Sequence, residues 1–112
     1  MPQYMLLMYH PTDDTPHDIP EEHKLWAQFH QDLVEAGALV SNAGLAGVDA
    51  ATTVRVRDGE TQITDGPFAE TKELLAGTFL IEVADLDAAI GWAARIPAAL
   101  YGSVEVRPLW GQ

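Results

Sequence analysis

The chain has no cysteine. That excludes a disulfide framework, thiolate zinc sites and a cysteine nucleophile, and it suits a reducing compartment. Basic residues are scarce: six Lys and Arg stand against seventeen Asp and Glu, a formal net charge of −11. So few cations make no stripe that could follow a phosphate backbone, and the field of such a chain repels DNA, RNA and anionic lipid. No apolar run reaches membrane-spanning length, and the first residues lack the basic-then-apolar pattern of a secretion leader. The expectation is a cytoplasmic protein that binds neither nucleic acid nor membrane. A Gly-rich phosphate loop, a Ser-His-Asp order and a metal-ligand motif are also missing, so no cofactor and no metal are expected.

What is present amounts to one domain, residues 1–112, with 47% apolar residues and enough of them for a modest core. Gln3 to Tyr9 reads as a strand apolar on both faces, with Tyr4, Leu6 and Met8 alternating with Met5, Leu7 and Tyr9. Such a strand belongs in the middle of a sheet. After a polar loop the pattern turns helical, with Asp18 or Ile19 as N-cap, Pro20 in the first turn, and Glu21 and Glu22 favouring the dipole. Leu25, Trp26, Phe29, Leu33 and Ala36 form the apolar stripe, and Gly37 ends it. The Gly- and Ala-rich link Ala38 to Ala51 carries no clear period.

Thr52 to Arg57 alternates, which points Val54 and Val56 inward, and Asp58-Gly59 is a strong hairpin signal returning through Thr61 to Thr64. Thr78 to Val83 is a further strand. Asp85 caps a second helix carrying Leu86, Ala89, Ile90, Ala93 and Ile96, Pro97 closes it, and Ser103 to Arg107 is the last strand. The order β-α-β-β-α-β with an added hairpin strand predicts a ferredoxin-like α+β layer, both helices on one face. The other face keeps apolar residues and needs a cover, which predicts a homodimer packed sheet to sheet.

The most distinctive stretch is Thr64-Asp65-Gly66-Pro67-Phe68-Ala69-Glu70-Thr71-Lys72-Glu73. Asp-Gly-Pro makes a turn, since Gly tolerates positive φ and Pro fixes φ. Phe68 is expected to anchor that turn in the core, and a short polar helix to carry Glu70, Lys72 and Glu73. This run closely resembles the signature of the DGPF family, a branch of the YCII-related proteins. The opening YMLLMYH, the ATTVRVRDGE stretch and the tail from Gly77 to Leu109 resemble it too, so the likeness covers nearly the whole chain. It implies a dimeric α+β barrel. It also implies acid–base work by a His–Asp dyad, in which Asp65 matches the aspartate of the signature. The family's usual helix histidine falls at Trp26, eleven residues before Gly37. That departure leaves His10, His23 or His30 to supply the imidazole.

Each candidate has a plainer alternative. His10 sits where the first strand ends, a common place for a site, or it is a loop histidine in water. His23 and His30 flank Trp26 on one helical face, about 10 Å apart along the axis. Ligands of one metal must converge to about 2 Å from it, so this pair cannot chelate alone. Each either packs beside Trp26 or acts singly. Asp65 orients an imidazole or caps its own turn. Glu70 and Lys72 face solvent, or Lys72 steadies an anionic ligand. Trp26 and Phe68 are core, or together wall a pocket for a small molecule. Three readings follow: cofactor-free acid–base chemistry on a small organic ligand, a non-catalytic module partnering an extracytoplasmic-function sigma factor, and a dimeric scaffold with a decayed site.

Overall fold

A computed structural model describes residues 1–11, 19–68 and 73–111 of the chain. The elements in order are β1 (Gln3–Pro11), α1 (Glu22–Glu35), β2 (Leu39–Gly44), β3 (Thr52–Arg57), β4 (Glu60–Asp65), β5 (Glu73–Glu82), α2 (Leu86–Ala94) and β6 (Ser103–Pro108). Single helical turns at Val48–Ala50 and Pro97–Leu100 punctuate the connections. Four strands form one antiparallel sheet in the order β2-β5-β1-β6, while β3 and β4 pair with each other as a separate hairpin. Without the hairpin, the remaining elements give the ferredoxin-like βαββαβ order expected from the sequence. The second strand of that order is β2, from the link without a period, and not a strand of the hairpin.

β1 lies at the centre, as its two apolar faces require. Tyr4, Leu6 and Met8 are buried and join Phe79, Ile81 and Val83 under Phe29 and Leu33 of α1 and Ala89 and Ala93 of α2. Fully burying a side chain such as Phe29 or Leu33 contributes about 1.5–3 kcal/mol. Phe29 meets both Phe79 and Trp92 edge to face, at 5.3 and 6.1 Å between ring centroids. On the opposite face Met5, Leu7 and Leu80 are half-buried.

The helix ends have identifiable causes. Gly37 takes φ 69°, the Ala38 N–H donates to the Leu33 carbonyl and the Gly37 N–H to Val34, each at 3.0 Å. This double closure satisfies the last carbonyls of α1. Its start differs from expectation: Glu21, with φ 55°, is the N-cap, and Pro20 lies before it. Asp18 falls outside the described residues. Leu25 and Ala36 of the expected stripe are exposed. Asp85 caps α2 as expected, its carboxylate accepting the Ala88 N–H at 2.9 Å. That helix stops at Ala94, so Ile96 is buried from the following turn rather than from the helix.

Two further corrections concern the middle of the chain. Asp58 and Gly59 both have positive φ and set Arg57 opposite Glu60, the tight hairpin expected. Its apolar face, however, points outward: Val54 and Val56 are each 59% exposed and Ile63 69%. Among the described residues no helix lies over the hairpin to receive them. Glu73, expected on a polar helix, begins β5. Between Met8 and Tyr9 the β1–β5 register shifts: Met8 pairs with Gly77 but Tyr9 with Leu75, leaving Ala76 as an extra residue on β5.

Candidate functional site

The residues singled out from the sequence scatter over the fold. His23 and His30 are exposed on α1. Asp65 is exposed at the end of β4, and among the described residues no hydrogen bond links its carboxylate to a histidine. The turn after it is held by backbone: the Gly66 N–H donates to the Ala51 carbonyl, and the Thr53 hydroxyl to the Gly66 carbonyl, both at 2.8 Å. Phe68 does not anchor the core. It is 77% exposed, with the Arg55 guanidinium 5.3 Å from its ring centroid. Glu70 and Lys72, like His17, lie outside the described residues.

His10 and Trp26 do come together. They line a cleft of about 300 Å³ with Met8, Asn42, Thr78 and Phe79, between the end of β1, α1 and the β2–β5 edge. Strand alternation puts His10 on the helix face of β1, beside Met8. Trp26 reaches it from the second turn of α1 and stacks on Phe79, 6.5 Å between centroids and 13° between planes. The His10 ring meets Tyr101 edge to face at 5.4 Å. Tyr101 is brought there by the turn Pro97–Leu100, which precedes β6. Burial pushes its phenol up to about 12, and a hydrogen bond with the Glu22 carboxylate adds to the rise. The imidazole thus sits at the mouth of an apolar slot with a neutral phenol on its flank and Asn42 as a further polar group.

Neither Tyr101 nor Glu22 was a site candidate from the sequence. His10 and Tyr101 are 91 positions apart and meet through sheet pairing, which leaves no local signal. Glu22 read simply as an acid in the first turn of a helix. A second, larger cleft of about 640 Å³ opens beside β1 and β5 where the side chains of Tyr9 and Leu75 point away from the helices. No helix among the described residues is long and apolar enough to cross a membrane.

The sheet order, the helices on one face and the inserted hairpin define an α+β domain of ferredoxin-like type. The chain belongs to the YCII-related domain family, whose model matches residues 2–111. It is similar to an uncharacterized protein of Rhizobium meliloti (strain 1021), with 51% identity over 78 residues. That stretch covers 68% of this chain and 63% of the relative, so the match spans less than two thirds of the relative's length.

Proposed function

We propose that this YCII-related domain binds a compact organic ligand in the His10–Trp26 cleft and carries out cofactor-free acid–base chemistry there, with the His10 imidazole moving the proton. One observation carries the reading: His10 lines an apolar cleft, and its ring is packed against a tyrosine that Glu22 holds in place. A packed imidazole at the edge of a cleft has a fixed direction for proton transfer, which acid–base catalysis requires. By the family resemblance Trp26 stands where a helix histidine is expected, and it supplies a flat wall stacked on Phe79. The apolar, half-buried face formed by Met5, Leu7 and Leu80 supports a homodimer. A cytoplasmic setting fits the acidic, cysteine-free composition.

The test is turnover of a panel of small hydroxy, keto and unsaturated acids by the wild type and by His10→Gln, His23→Gln and His30→Gln. Loss confined to His10→Gln, about a hundredfold or more, is the expected result. Equal activity in all three variants, or no turnover of any compound, overturns it. In that event a low-salt pull-down that dissolves at high salt supports the sigma-factor module instead.

A further inference from the structure

β6 is an edge strand: β1 pairs with one side of it, and among the described residues no strand pairs with the other. Two hydrogen bonds fix the direction of its backbone groups. The Leu109 N–H donates to the Gln3 carbonyl at 3.1 Å, which turns the odd-numbered residues of β6 toward β1. The Val83 N–H donates to the Pro2 carbonyl, also at 3.1 Å, so the even-numbered residues of β1 bond to β5 instead. The N–H and C=O groups of Val104 and Val106, and the carbonyl of Pro108, therefore point out of the sheet edge. Such a row of groups is a template for a further strand.

The side chains say which strand fits. Glu105 and Arg107 lie on the face away from the helices, 3.8 Å apart. Two copies of β6 can pair antiparallel about a two-fold axis, and the position of that axis decides which charges meet. An axis at Glu105 sets two carboxylates opposite each other, and one at Arg107 sets two guanidinium groups opposite each other. Like charges directly opposite destabilise a sheet. An axis at Val104 faces Glu105 with Ser103 and forgoes the ion pairs. An axis at Val106 sets Glu105 of each copy opposite Arg107 of the other. It also joins the Val106 N–H to the opposite Val106 carbonyl and the Val104 N–H to the opposite Pro108 carbonyl, two bonds of each kind. Pro108 has no N–H to give, so the Val104 carbonyl alone stays with water.

We infer that β6 is a seam between two copies of this chain, paired antiparallel about Val106 into one continuous sheet. The same register carries Trp110, wholly exposed in the single chain, to the level of Gly102 in the other copy, two residues from the exposed Leu100. An edge of six residues is a small interface, so the association is reversible and depends on concentration. The seam uses the edge of the sheet and not its face at Met5, Leu7 and Leu80, and it does not rest on the acid–base reading.

The chain has no cysteine, so Glu105→Cys and Arg107→Cys each carry a single thiol, both at exposed positions where the fold is not at stake. Opposite positions of antiparallel strands stand about 4.5–5.5 Å apart, within disulfide reach, whereas diagonal ones lie about 7–8 Å apart and beyond it. Mild oxidation of the two full-length variants together is expected to give the mixed disulfide dimer at least about tenfold over either variant with itself, read by intact mass. In sedimentation without oxidation, Glu105→Arg and Arg107→Glu are each expected to lose one step of assembly. Their equimolar mixture regains it, because each pair across the seam is then Arg against Glu. Mixed and self dimers in the statistical ratio, or charge variants that sediment like the wild type, overturn the proposal and leave a dimer through the sheet face standing. A wild type that stays monomeric at millimolar concentration overturns both.

Discussion

β6 and β3 carry nearly the same run, Val104-Glu105-Val106-Arg107 in one and Val54-Arg55-Val56-Arg57 in the other. In β6 the valines pack on the buried core and the charged residues face out. In β3 the valines are the exposed residues, and Arg55 is half-buried against Phe68. Alternation sorts side chains into two faces but does not say which face is covered. That is decided by the neighbours: β6 lies beside β1 beneath the helices, whereas β3 has β4 alone. A two-stranded hairpin with an apolar face is at best marginal by itself, so the hairpin owes its order to the body it joins.

The largest expected contrast comes from breaking the body. Phe29→Ala removes a fully buried ring from the contact of α1 with the sheet, and its unfolding free energy in urea should fall by about 3–5 kcal/mol. Next is Gly102→Ala, just before β6. An added Cβ would lie 2.0 Å from the Tyr9 carbonyl oxygen, a backbone atom that cannot swing aside. Forcing β1 and β6 apart there should cost about 1–3 kcal/mol in the same measurement. In the hairpin, Val54→Thr and Ile63→Thr should each stay within about 0.5 kcal/mol of the wild type when the chain is dilute. If a second copy covers that face, the loss appears instead as a midpoint that depends on protein concentration.

The smallest effect belongs to the exposed pair that ties α1 to the end of α2, Arg95 and Asp32. Hydrogen bonds from Arg95 and then Gln28 hold the Asp32 carboxyl below its usual 3.8. A carboxyl lowered by folding favours the folded state above its unfolded value. That contribution is lost as the pH falls below 3.8 and through the lowered value. Solvent screening keeps it small. Urea midpoints of wild type and Asp32→Asn should therefore differ slightly at neutral pH and converge in acid.

How much of this was legible follows the same logic. β1, the helix cores, the Asp58-Gly59 turn and the ferredoxin-like order rest on strong local patterns, and the fold carries them. β2 was not legible, because Ser41, Asn42, Ala43 and Gly44 have little strand preference and become a strand through pairing with β5. The charged start of β5 resembled a helix for the converse reason. At the site, His10 stood out by its place at a strand end, and Trp26 by its departure from the family pattern. Tyr101 had no local mark. The larger cleft was invisible because its wall comes from the link that showed no period and from Phe68, which was expected in the core or in one pocket with Trp26.

The extra residue in β5 has a consequence for how one strand can serve two masters. Beyond Ala76, the odd-numbered residues Gly77, Phe79 and Ile81 face the helices; before it, Glu73 and Leu75 face the opposite side. The bulge is a change of reading frame written in backbone, and the Ala76 carbonyl holds Leu45 in place at that step. Deleting this single alanine would leave the core frame untouched. It would also leave Glu73 and Leu75 facing away from the helices, because Leu75 would then follow Gly77 in regular alternation, and it would remove the carbonyl that accepts the Leu45 N–H. The hold on the link between β2 and β3 could thus be lost through one residue, with no change in the side chains that make the core.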